Sequence, residues 1–136
     1  MTTPYTPLTS ATSAIWRDHA AIPETPGLSI RTTYPTNPDG VEVILEQWQA
    51  GTSEPPHAHP GDDMTVVIEG EMVIQFYTLE SGKLVREGTP VTLQQGDTGY
   101  IQGGRIHDAH YTQDCKLVFV HDRAFAFQAF AEEIAA

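Results

Sequence analysis

The sequence holds a single cysteine, Cys115, in 136 residues. That excludes an internal disulfide and a cysteine-rich zinc module. Basic residues are scarce: 7 Lys plus Arg stand against 18 Asp plus Glu, a formal charge of −11. A surface of that sign repels phosphate, so neither nucleic acid nor an anionic membrane is expected as a partner. No apolar run approaches the roughly 20 residues that span a bilayer. The first ten residues, MTTPYTPLTS, contain no basic segment and no apolar one. No secretory signal is read there, and a cytoplasmic location is expected. No segment carries a strong 3.6-residue apolar period, which argues against a helical bundle. A G-x-S-x-G elbow and a phosphate-binding glycine loop are also missing.

What is there suits one packed domain. About 40% of residues are apolar and 18% charged, enough for a single core at this length. Residues 1–27 read as an extended arm, with Pro4, Pro7, Pro23 and Pro26 among many Thr and Ser, and Ile15 and Trp16 as its apolar anchors. From Leu28 the pattern is short, strand-like and punctuated. Strands are expected at Leu28–Tyr34, Val41–Gln49, Met64–Glu69, Glu71–Leu79, Leu84–Glu87, Val91–Leu93, Thr98–Gln102, Ile106–Thr112 and Cys115–His121. Ala50–Asp63, with three prolines and two glycines, reads as loop-rich. Strand and turn signals at this spacing indicate an all-β sandwich or barrel over residues 28–136. The tail from Phe125, rich in Ala and Glu, is the one segment whose composition allows a short helix.

Six histidines are present. His57 and His59 are two apart, and in a strand they share a face. Two imidazoles so placed can hold one metal ion, with ring nitrogens about 2.0–2.2 Å away. Asp63, four residues on, is a hard oxygen donor; Asp62 is its rival, on the opposite parity. His110 lies three after His107 and faces the other way in a regular strand. His121 ends a strand and reads as a packed residue, while His19 carries no signal. Arg105 is two before His107, on the same side, where it offers a bidentate clamp for a substrate carboxylate or a surface charge at a turn. Gln47, Gln49 and Gln102 are candidate pocket linings. Tyr100 and Tyr111 are candidate donors of a hydrogen bond or proton. Cys115 opens an apolar strand and reads as a small core residue.

The order Gly51-(5)-His57-Ala58-His59-(3)-Asp63-(6)-Gly70 resembles the first motif of the cupin superfamily, G-x5-H-x-H-x3,4-E-x6-G, with Asp63 in place of Glu. Gly96-(5)-Gln102-Gly103-Gly104-Arg105-Ile106-His107, with Tyr111 at the end, resembles the second, G-x5-P-x-G-x2-H-x3-N. Gln102 stands for Pro and Tyr111 for Asn. The resemblance implies a single-domain cupin barrel and a homodimer formed through sheet edges. It implies one divalent metal ion (Fe, Mn, Ni, Co, Cu or Zn) on His57, His59 and His107. Asp63 is then a fourth ligand, gives way to a water, or accepts a hydrogen bond from a bound water. The leading expectation is a dioxygenase acting on a small oxygen-bearing or carboxylated molecule, with Arg105 and Tyr111 as catalytic candidates. A lyase, an isomerase and a non-catalytic small-molecule sensor are the alternatives.

Overall fold

The computed structural model describes residues 20–32, 42–122 and 126–136. Expectations for Ile15, Trp16, His19, Phe125 and the turn at residues 37–40 lie outside them. Eleven strands follow in chain order among the described residues: β1 (Ala20–Ala21), β2 (Leu28–Thr32), β3 (Glu42–Trp48), β4 (Ser53–Ala58), β5 (Asp63–Glu69), β6 (Glu71–Glu80), β7 (Lys83–Gln94), β8 (Thr98–Ile101), β9 (Ile106–Tyr111), β10 (Cys115–His121) and β11 (Gln128–Ala129). They form two antiparallel sheets, β1-β2-β3-β10-β5-β8 and β11-β4-β9-β6-β7. The fold is all-β, as the punctuated apolar pattern predicts. No helix among the described residues is long and apolar enough to cross a membrane.

Period-two alternation decides which side chains enter the space between the sheets. On β10, Cys115, Leu117, Phe119 and His121 are buried, while the residues between them are not. On β5 the buried set is Asp63, Thr65 and Val67. Facing side chains from both sheets make one core, including Ile44, Trp48, Val67, Ile74, Leu93, Tyr111 and Leu117. Gly70 closes the turn between β5 and β6 at φ +91°, and an added Cβ would run into the Asp114 carbonyl oxygen. Only glycine fits there.

Three local expectations are corrected. The loop-rich stretch contains β4, despite Pro55 and Pro56. A register shift between Glu54 and His57 against β9 carries the prolines past positions that need an N–H. Leu84–Glu87 and Val91–Leu93 are one long edge strand, β7. It tolerates Gly88 and Pro90 because β6 also shifts register, between Ile74 and Phe76. The Gln75 amide bridges that irregularity, donating to the Phe76 and Gly88 carbonyl oxygens. The tail is not a short helix. β11 pairs with β4, Ile134 bridges to Leu84, and Phe130 and Ile134 cover a second small cluster of Tyr77, Leu84 and Ile106. Burial of those two side chains over the sheet overrides helix propensity.

Candidate metal centre

His57 lies on β4 directly opposite His107 on β9. His59 follows β4, where the chain crosses from one sheet to the other. All three are buried. Their ring centroids are 4.4 Å (57–107), 4.8 Å (57–59) and 5.5 Å (59–107) apart. One ligand nitrogen from each can lie within 4.8 Å of the other two.

Each ring is aimed by its own backbone acceptor. His57 Nδ1 meets the Pro55 carbonyl oxygen at 2.8 Å, His59 Nδ1 that of Ala126 at 2.8 Å, and His107 Nδ1 that of Arg105 at 2.9 Å. A carbonyl oxygen only accepts, so each Nδ1 carries the proton and each Nε2 presents its lone pair. Desolvation lowers the pKa of His59 to about 4 and that of His107 to about 3. Two buried imidazoles held neutral, with their tautomers fixed, are what a metal ion needs from its ligands. The donor set therefore fits the divalent ion that the motifs imply.

Asp63 enters from the other sheet, on β5, opposite His121 on β10. Its carboxylate groups with His59 and His121, within 4.8 Å, rather than with the set of His57, His59 and His107. Both Asp63 oxygens are buried without a hydrogen-bond partner. Desolvation, then Glu54, Asp62 and Asp122, raise its pKa to about 7. Asp62, the rival ligand, is taken up elsewhere: it accepts from the Tyr100 hydroxyl at 2.6 Å and from the Gly103 amide at 2.8 Å.

Arg105 is exposed at the rim. It pairs with Glu87 at 2.8 Å and lies 3.6 Å above the Phe76 ring centroid. Phe76 in turn neighbours His107 at 6.2 Å. Tyr111 is fully buried, stacked on Trp48 at 4.3 Å, and donates to Glu54 Oε1 at 2.6 Å. Burial, then Glu54 and Glu46, push its phenol well above the usual range. Its hydroxyl holds the Glu54 carboxylate. Gln47, Gln49, Gln102 and Tyr100 are exposed and do not line the space between the sheets. His110 is exposed too, bonded to Ser53, as its parity predicts. Cys115 is buried.

The sequence reading missed two acids and assigned His121 only to packing. Glu54 Oε2 lies 3.6 Å from His57 Nε2, and desolvation raises the Glu54 pKa. Glu46 accepts from Trp48 Nε1 at 2.9 Å. Desolvation and then Glu54 push its pKa to about 8. A signal for His121 was present: it continues the alternation of Leu117 and Phe119 onto the inner face. Glu46 shares the parity of Ile44 and Trp48 in the same way.

Among curated proteins, none matches the sequence. Solved structures do match by fold. KdgF from Halomonas sp. is similar at 18% identity and TM-score 0.61, over 79% of this chain and 90% of that one. Oxalate decarboxylase from Bacillus subtilis is similar at 17% identity and TM-score 0.62, over 78% of this chain and 28% of that one. A salicylate 1,2-dioxygenase from Pseudaminobacter salicylatoxidans is similar at 16% identity and TM-score 0.58, over 71% and 26%. The chain thus spans about a quarter of the two latter enzymes. The family model described as "Cupin domain" matches residues 44–121. That match covers more than half of the chain and takes in every histidine of the cluster, so the chain belongs to the cupin family.

Proposed function

We propose that this cupin is a metal-dependent enzyme for a small oxygen-bearing or carboxylated molecule, and that the reaction is a dioxygenation. One observation carries the reading: three buried imidazoles have Nδ1 tied to backbone carbonyls, and a ligand nitrogen of each lies within 4.8 Å of those of the other two. A divalent ion held by His57, His59 and His107 would supply Lewis acidity, or electrons for dioxygen if it is redox-active, with positions left open for substrate. The chain's own residues shape what enters. Phe76, Phe119 and Phe127 lie about the histidines, with ring centroids 5.7–6.3 Å from the nearest of them, and favour a planar or apolar substrate body. Arg105, above Phe76, is assigned to meet a substrate carboxylate in exchange for Glu87. Two of the similar enzymes carry oxalate and salicylate in their names, and both are small carboxylates.

A lyase or isomerase is the second reading, and Glu54 favours it. A carboxylate 3.6 Å from His57 Nε2, held by the Tyr111 hydroxyl, is placed to take a proton from a substrate carbon. A homodimer in the cytoplasm remains part of the proposal; exposed Leu79 on β6 and Val91 on edge strand β7 are candidate contacts.

The test combines elemental analysis with turnover assays. One divalent ion per chain is expected, and a chelator lowers Tm because the ion binds only the folded state. Oxygen uptake with small keto-acids, diketones or catecholic carboxylates supports dioxygenation. Anaerobic turnover of the same compounds supports the Glu54 reading. Protein that binds no ion on reconstitution overturns both.

A further inference from the structure

We propose that His59, Asp63 and His121 form a second cation-binding position, a two-histidine, one-carboxylate triad that shares His59 with the three-imidazole set and is preferred by hard divalent ions. The inference rests on the reading above only in taking His59 as a ligand, since Asp63 and His121 belong to the opposite sheet.

Topology brings the triad together. Asp63 on β5 and His121 on β10 are cross-strand partners, and both side chains point inward on their strands. His59 comes from the crossover that precedes β5, and its ring centroid lies 5.0 Å from that of His121. Ligand atoms of the three residues all lie within 4.8 Å of one another. Asp63 is 2% exposed, yet neither of its oxygens has a hydrogen-bond partner. A buried carboxylate without a donor is costly, and a cation is what would satisfy it. The Phe119 ring, 4.3 Å from His121, walls the position on one side.

The sharing has a chemical consequence. His59 Nδ1 donates to the Ala126 carbonyl oxygen, so Nε2 is the ring nitrogen that keeps a lone pair. One lone pair serves one ion. The chain therefore holds one ion at a time and offers it two donor sets. Three neutral imidazoles suit Cu, Zn, Ni or Co, whereas two imidazoles and a carboxylate suit Mn and ferrous iron. The departure from Glu to Asp at position 63 fits this division, because the shorter carboxylate groups with His121 rather than with His57 and His107.

The experiment titrates the full chain with Zn(II) and Mn(II) by calorimetry. In Asp63→Asn and in His121→Gln, Mn(II) affinity is expected to fall by at least the roughly 10- to 100-fold that loss of even an outer-shell partner causes. Zn(II) affinity stays close to that of the wild type. In a His57→Ala/His107→Ala double variant the pattern reverses: Zn(II) binding drops and Mn(II) binding is retained. Equal losses of both ions in Asp63→Asn would make Asp63 a fourth ligand of the three-imidazole set and overturn the proposal. No loss of Mn(II) in either single variant would also overturn it. The single variants decide the question even if the double variant fails to fold. Should the wild type bind neither ion, the metal-enzyme reading falls as well. Zn(II) binding that ignores Asp63 and His121, with no Mn(II) binding, defeats the second position alone.

Discussion

Replacing Tyr111 by Phe removes one oxygen and little else. The ring is fully buried and lies nearly parallel to Trp48, 11° between planes at 4.3 Å, and Phe keeps that stack. What is lost is the 2.6 Å bond to Glu54 Oε1, a hydrogen bond to a group that carries charge when ionised. Such a bond contributes about 1.5–3 kcal/mol, and its loss leaves a partly buried carboxylate short of a donor. For a domain of this size the expected fall in Tm is about 5–10 °C. Urea denaturation measures the free energy, since the midpoint should move with m unchanged. Glu54→Gln supplies the control. The amide oxygen still accepts from Tyr111 but the charge is gone, so the two substitutions together should cost less than the sum of each alone, with a coupling of about 1–2 kcal/mol. A Tyr111→Phe variant within about 0.5 kcal/mol of wild type, or strict additivity with Glu54→Gln, would refute the view that this hydroxyl holds the carboxylate beside His57.

Three further outcomes are expected. His57→Ala or His107→Ala abolishes tight Zn(II) binding in calorimetry, whereas His110→Ala, exposed and bonded to Ser53, does not. Glu46 gives a pH signature. Its folded pKa of about 8 lies above the ordinary 4.5, so between those values the native state binds more protons than the unfolded chain. Stability should therefore fall as pH rises through that window, by at most about 1.4 kcal/mol per unit, and urea midpoints of Glu46→Gln should lie on a flatter profile. Removing residues 126–136 deletes the carbonyl that orients His59. Metal affinity should then drop about 10- to 100-fold in a titration, and an unchanged affinity would show that the tail has no hold on the ring.

Much of the fold was legible because alternation is local. β5 and β10 follow from period-two burial, and the pair His57 and His59 is visible in the chain order alone. β4 was hidden because prolines signal loops, and only the partner strand β9 shows that a bulge absorbs them. The tail was hidden for a related reason: its Ala and Glu favour a helix in isolation, yet Phe130 and Ile134 gain more by covering Tyr77 and Ile106.

The all-β class, the His57 and His59 pair and the buried state of Cys115 were written in the chain, since each depends on neighbours a few residues away; His107 joined the pair through the motif resemblance. How the acids are shared out was set by packing across the two sheets. Asp63 turned to His121, Asp62 to Tyr100 and Gly103, and Glu54 to Tyr111 and His57. Those pairings join residues up to 58 positions apart between Asp63 and His121. Which donor a buried carboxylate meets is set by strand register across the two sheets, a property that no single stretch of chain encodes.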